Sequence, residues 1–159
     1  MYKIFVTCHR LQIILLFQMK NILLALITII IFGSCTNNAQ NNDILPFVTV
    51  NETIDLSLPQ YINLQVPGGS VYANGGLSGI IVYNLNGTQF KAFERAAPHI
   101  QISGCSQMIV ENNIRMRCPC DDSEFNILNG SPLTDGVDKN AREYLVSNLN
   151  GVVLRITNF

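Results

Sequence analysis

The sequence predicts an all-β domain, and three observations predict it. Beyond Cys35 the apolar residues come in short runs rich in Val, Ile, Phe and Tyr, the texture of strands. Pairs that tolerate positive φ separate those runs: Asn86-Gly87, Asn112-Asn113, Asn129-Gly130 and Asn150-Gly151, each a hairpin or turn signal. No stretch after Cys35 repeats its apolar residues at helical spacing, so no amphipathic helix is expected.

The N-terminus has to be set apart first. Met19-Lys20-Asn21 is a short basic start, Ile22 to Phe32 is apolar except for Thr28, and Gly33-Ser34 precede Cys35. This is the order of an export signal. A helix of this run would extend about 16 Å at 1.5 Å per residue, well short of the roughly 30 Å hydrocarbon core. Phe32-Gly33-Ser34-Cys35 resembles a bacterial lipobox, of Bacteroidetes type, and that resemblance implies that Cys35 is lipidated. Residues 1–18 then read as an extension upstream of the true start, 19–34 as the signal peptide, 35–45 as lipidated cysteine and flexible tether, and 46–159 as the folded domain. The expected address is the bacterial cell envelope, with the membrane as first partner through the lipid and an unidentified envelope protein as second.

Composition narrows the partners further. Removing residues 1–34 takes Lys3, Arg10 and Lys20, leaving seven basic against eleven acidic residues. A net charge of −4 without a basic patch excludes a nucleic-acid partner, because phosphate binding needs clustered cations. Thr36 to Asp43, with Asn37, Asn38, Asn41 and Asn42, has almost nothing to bury and reads as a spacer.

In the domain, Phe47–Val50, Ile54–Leu58 and Tyr61–Val66 are candidate strands, punctuated by Pro59, Pro67, Gly68-Gly69 and Gly75-Gly76. Gly79–Tyr83 is apolar enough to be buried on both faces, and Gln89–Glu94 returns from it through Asn86-Gly87. Met108–Val110 and Ile114–Cys118 form the next hairpin. In its second arm Ile114, Met116 and Cys118 share one face, with Arg115 and Arg117 on the other, so Cys118 arrives from the core side. Phe125 and Ile127 alternate before Asn129-Gly130, and Tyr144–Val146 pairs with Val152–Ile156 across Asn150-Gly151. There Val152, Leu154 and Ile156 share a face.

Two stretches carry chemistry. Ala97-Pro98-His99 and Cys118-Pro119-Cys120-Asp121-Asp122-Ser123-Glu124-Phe125 together resemble the two cluster-binding loops of Rieske iron-sulfur domains, which run Cys-x-His and then Cys-Pro-Cys-His-Gly-Ser-x-Phe. The likeness runs in register from Gly79 to His99 and less specifically to the end of the chain. It implies a Rieske-like fold of antiparallel sheets with a small cluster-binding subdomain. It also implies that Ala97, His99, Cys118 and Asp121 occupy the four ligand places, and that Cys120 sits where the family often puts a loop-to-loop disulfide, with Cys105 as its mate. Three free thiols and a Cys105 to Cys118 bridge are the other possibilities.

Rieske chemistry uses two thiolates on one iron and two neutral imidazoles on the other. Ala97 has no donor atom, Asp121 offers a hard anionic oxygen, and after signal removal His99 is the one histidine. The expectation is therefore a domain without a cofactor, not an enzyme, serving as a non-redox interaction or structural module, with His99 and Cys118 as vestigial metal positions. A 2Fe-2S electron carrier with substitute ligands is the alternative. His99, Cys105, Cys118 and Cys120 also number four soft donors, as tetrahedral zinc requires, and His99 with Cys118 could form a nucleophile pair. Finally, Asp122 replaces the family's Gly, so the tight turn is expected to relax.

Overall fold

The computed structural model describes residues 44–158, which belong to one compact unit. Residues 1–18, the expected signal peptide, Cys35 and most of the expected tether lie outside the described residues. Among the described residues no helix is long and apolar enough to cross a membrane.

Among the described residues, nine strands make two antiparallel sheets. The larger takes β1 (Asn51–Asp55), β9 (Val153–Thr157), β8 (Glu143–Asn148), β4 (Phe90–Glu94), β3 (Ile80–Asn84) and β2 (Ser70–Ala73), side by side in that order. The smaller is the meander β5 (Ile109–Glu111), β6 (Arg115–Arg117) and β7 (Glu124–Asn126). It lies between β4 and β8 in sequence, so the small subdomain is an insertion in the larger sheet. The fold is the expected all-β arrangement of antiparallel sheets with a small subdomain.

Register follows side-chain size and turn chemistry. β3 pairs with β4 from Ile80↔Glu94 to Asn84↔Phe90. All five β3 residues are buried, because the two faces of this hairpin serve different cores. Ile80, Val82 and Ala92 pack with Ile54, Leu64, Leu154 and Ile156. Ile81, Tyr83 and Phe93 face Met108, Met116, Cys118, Phe125 and Ile127. A strand covered on both sides needs apolar residues throughout, which is why Gly79–Tyr83 lacks alternation.

Four expectations are corrected. Tyr61–Val66 is not a strand: Pro59–Gln65 forms a 3₁₀ helix with proline at its start and Leu64 as its buried residue, since Pro fixes φ and has no N–H to donate to a ladder. Phe47–Val50 runs outside the sheets. There Asn158 Oδ1 accepts from Val50 N and its Nδ2 donates to Val48 O, while Arg142 donates to the carbonyls of Leu45 and Pro46. The strand expected over Ile54–Leu58 ends at Asp55, whose carboxylate takes the Ser57 N–H and hydroxyl, an Asx turn in place of a ladder bond. Ile114 and Val152 are exposed although Met116, Cys118, Leu154 and Ile156 are buried, because both lie in the turns just before β6 and β9, outside the sheets. Conversely, β2 was not foreseen: it buries only Val71 fully, too little to show a period.

Candidate functional site

Two loops meet at the end of the small subdomain. The first leaves β4 and is closed at its base by the Ala96↔Gln107 bridge and by Ala97 N–H donating to Ser106 O, 2.9 Å. Within it the buried Ser106 hydroxyl accepts from Ser103 N and donates to Ser103 O. The second loop joins β6 to β7. Cys118 N–H donates to Ser123 O and Asp122 N–H to Cys118 O, at 2.8 and 2.9 Å. Asp122 takes φ +61°, so the tight turn persists without its glycine, contrary to expectation. Asp is among the residues that tolerate the left-handed region, and the Asp122 carboxylate is held by Arg117 Nη1 at 2.7 Å.

The loops are joined twice. Cys105 and Cys120 form a disulfide, S–S 2.07 Å, with Cα atoms 5.0 Å apart. His99 Nε2 lies 2.6 Å from Asp121 Oδ2. The same carboxylate accepts from Ser123 N at 3.2 Å and Ser123 Oγ at 2.9 Å. Burial would raise the Asp121 pKa, but the bonds from His99 and Ser123 outweigh it and bring it down to about 2. The group is therefore ionised at neutral pH and can only accept. The proton of the His99 contact consequently sits on Nε2, and the other ring nitrogen is Nδ1. That Nδ1 is buried and has no hydrogen-bond partner. The ring rests on Phe125, centroids 5.7 Å apart.

Cys118 is a fully buried free thiol. Burial pushes its pKa up, and contact with the Asp121 carboxylate adds to the rise, so it is a thiol and not a nucleophile at neutral pH. Ala97 is buried in the second core. Among the described residues no group of three or more His, Cys, Asp and Glu is arranged to hold a metal ion. At the four ligand places that the resemblance implies, Ala97 has no donor atom and Asp121 is engaged with His99.

Three supporting residues escaped the sequence reading. Glu94 is fully buried and its carboxylate collects four donors: Leu77 N and Tyr144 Oη on Oε2, Ser78 N and Ala96 N on Oε1. It fixes the backbone from which the first loop springs. Arg95 lies 4.2 Å above the Tyr72 ring and donates to Met108 O, and Val110 N donates to Tyr72 Oη. An acid inside an otherwise buried strand was the available signal for Glu94; nothing in sequence marked the Arg95 and Tyr72 contact.

Comparison with protein-family models and with curated proteins finds no match. Several solved structures are similar. One, described as the complex of reduced oxygenase and oxidized ferredoxin in carbazole 1,9a-dioxygenase, is 24% identical over 58% of this chain and 82% of its own, TM-score 0.44. The ferredoxin of carbazole 1,9a-dioxygenase from Nocardioides aromaticivorans IC177 is 15% identical over 69% and 97%, TM-score 0.46. The E. coli protein NirD is 16% identical over 69% and 97%, TM-score 0.43. These neighbours correct one expectation. The second is described as a ferredoxin, against the expectation of a domain without a cofactor.

Proposed function

We propose that the chain is a lipid-anchored protein of the bacterial cell envelope whose Rieske-like domain is an interaction or structural module, carried on the polar stretch that follows Cys35. The observation that supports this reading is the double closure of the tip. The Cys105–Cys120 bridge and the His99–Asp121 contact fasten the same two loops, and a pre-ordered surface loses little conformational freedom on binding. Its partner would be another envelope protein.

A photo-crosslinking residue at Ile102, which is 45% exposed in the first loop, tests this in living cells. A discrete product is expected from position 102 and not from Leu58, 42% exposed outside both tip loops. No product from position 102 would overturn the reading. A second reading, an electron carrier, is favoured by the unpartnered Nδ1 of His99, which leaves a nitrogen donor beside the Cys118 loop. Stoichiometric iron and sulfide with a Rieske-type EPR signal, in protein purified without air, would establish that reading in place of the first.

A further inference from the structure

We infer that the groove between the turn leading into β2 and the turn joining β5 to β6 is a binding site for a neutral saccharide. The inference is independent of both readings of the tip loops.

Two turns that the sequence marks with Gly-Gly and Asn-Asn build the walls. On one side the 3₁₀ helix Pro59–Gln65 ends and the chain passes through Gly68 and Gly69 into β2. A Cβ added at Gly69 would overlap Asn63 O, so glycine is what lets this turn close on the helix. On the other side Asn112 and Asn113 take φ +50° and +56°, a left-handed turn that asparagine tolerates. The groove between them measures about 570 Å³, within the size range of small-molecule sites.

The observation that points to a ligand is Tyr83. It lines the groove and is only 7% exposed, yet no hydrogen bond among the described residues engages its hydroxyl. The oxygen lies close to Gly68, where an added Cβ would stand 4.0 Å from it. A buried phenol normally has a hydrogen-bond partner; this one is left for whatever enters the groove. Asn63, Ser70 and Asn113 line it as well, and their side chains too have no hydrogen-bond partner among the described residues.

The chemistry of the lining selects the class of ligand. No charged side chain of the described residues lines the groove, so a phosphate or carboxylate would find none of the charge-assisted bonds that hold such groups. Much of the backbone is already committed. Gly68 N–H donates to Asn84 O, Gly69 N–H to Val66 O and Ile114 N–H to Glu111 O, while Gly69 O accepts from Asn84 N–H and Ile114 O from Ile127 N–H. A peptide added as a strand draws its affinity from main-chain bonds, and here recognition falls to side chains instead. Those are two hydroxyls and two amides, which both donate and accept. Adjacent hydroxyls on a pyranose ring have the same double capacity, and the C–H face of the ring suits the exposed Val66 and Ile114 in the groove.

The test uses the isotope-labelled full chain in a detergent without a sugar headgroup. Its amide NMR signals are followed as maltotriose, cellotriose or the N-acetylglucosamine trimer is added, with a capped trialanine peptide and inorganic phosphate as contrasting probes. The expected result is a saturable shift of the Asn63 and Asn113 side-chain amides and of Gly68 and Gly69 with at least one saccharide, while Cys105 and Asp121 stay in place. Tyr83→Phe removes one hydroxyl and keeps the packed ring. It should weaken that binding about 2- to 10-fold, the loss of one hydrogen bond. Asn113→Gly suits the left-handed turn and removes one amide, with a loss of the same order. Circular dichroism checks that both variants keep the parent fold. No saturable shift at the groove with any of these saccharides, tighter binding of the peptide or of phosphate, or unchanged affinity in both variants would each overturn the site.

Discussion

At the scale of single residues, the tip is governed by Asp121 and Asp122. The folded Asp121 carboxyl is held at about 2 against an ordinary value of 3.8. A depressed carboxylate stabilises the fold above its unfolded pKa and loses that contribution as pH falls through the folded one. The stability is thus complete above about pH 4 and declines toward pH 2. Because the Asp121 side chain is 37% exposed, solvent screening limits the effect to about 1 kcal/mol. Urea denaturation between pH 2 and 5 should show this decline in the parent and a flatter dependence in Asp121→Asn. Asp122 stores a small strain at φ +61°, which glycine would not feel. Asp122→Gly should therefore be neutral or stabilising by up to about 1 kcal/mol, the exposed bond to Arg117 offsetting part of the gain. A clear loss in a urea titration would mean that the Arg117 contact outweighs the strain. The sequence displayed Asp122 where the resembled loop has glycine; it could not display that a neighbouring arginine makes the left-handed turn tolerable.

At the scale of elements, the loops depend on how strands and covalent bonds hold their bases. Glu94 ends β4 and gathers the 77–78 turn, Ala96 and Tyr144 around one buried carboxylate. Burial, and then the bond to Glu94, push the Tyr144 phenol well above its usual range. Glu94→Gln replaces an acceptor oxygen by an NH₂ group facing donors. It should cost about 3 kcal/mol or more, because buried groups lose their partners, measured by chemical denaturation. Gly76 is part of the same packing: at φ +65° an added Cβ would sit 2.4 Å from Glu94 Oε2. The disulfide closes a separation of 15 residues, for which the chain-entropy account gives about 3 kcal/mol. Cys105→Ser with Cys120→Ser should lower unfolding free energy by that order while the six-stranded sheet keeps its far-ultraviolet dichroism.

At the scale of the whole molecule, β3 and β4 are the shared wall of two cores, and the small subdomain is held to the larger sheet chiefly through Ile81, Tyr83 and Phe93. The lipid-anchored reading is checked at this scale by Cys35→Ala, which should move the protein from the membrane pellet to the soluble fraction; retention in the pellet would reject lipid as the anchor. By itself the sequence determined the all-β class, the hairpin at Asn86-Gly87, the doubly buried β3 and the absence of a donor atom at Ala97, since each is local: a period, a turn pair or a missing donor atom. Tertiary structure decided the rest. Whether Tyr61 to Val66 is a strand, what satisfies Glu94, and that His99 meets Asp121 rather than another group depend on residues distant in the chain. Such contacts leave no period or motif, because side-chain chemistry is written at each position while proximity is created only when the sheets close.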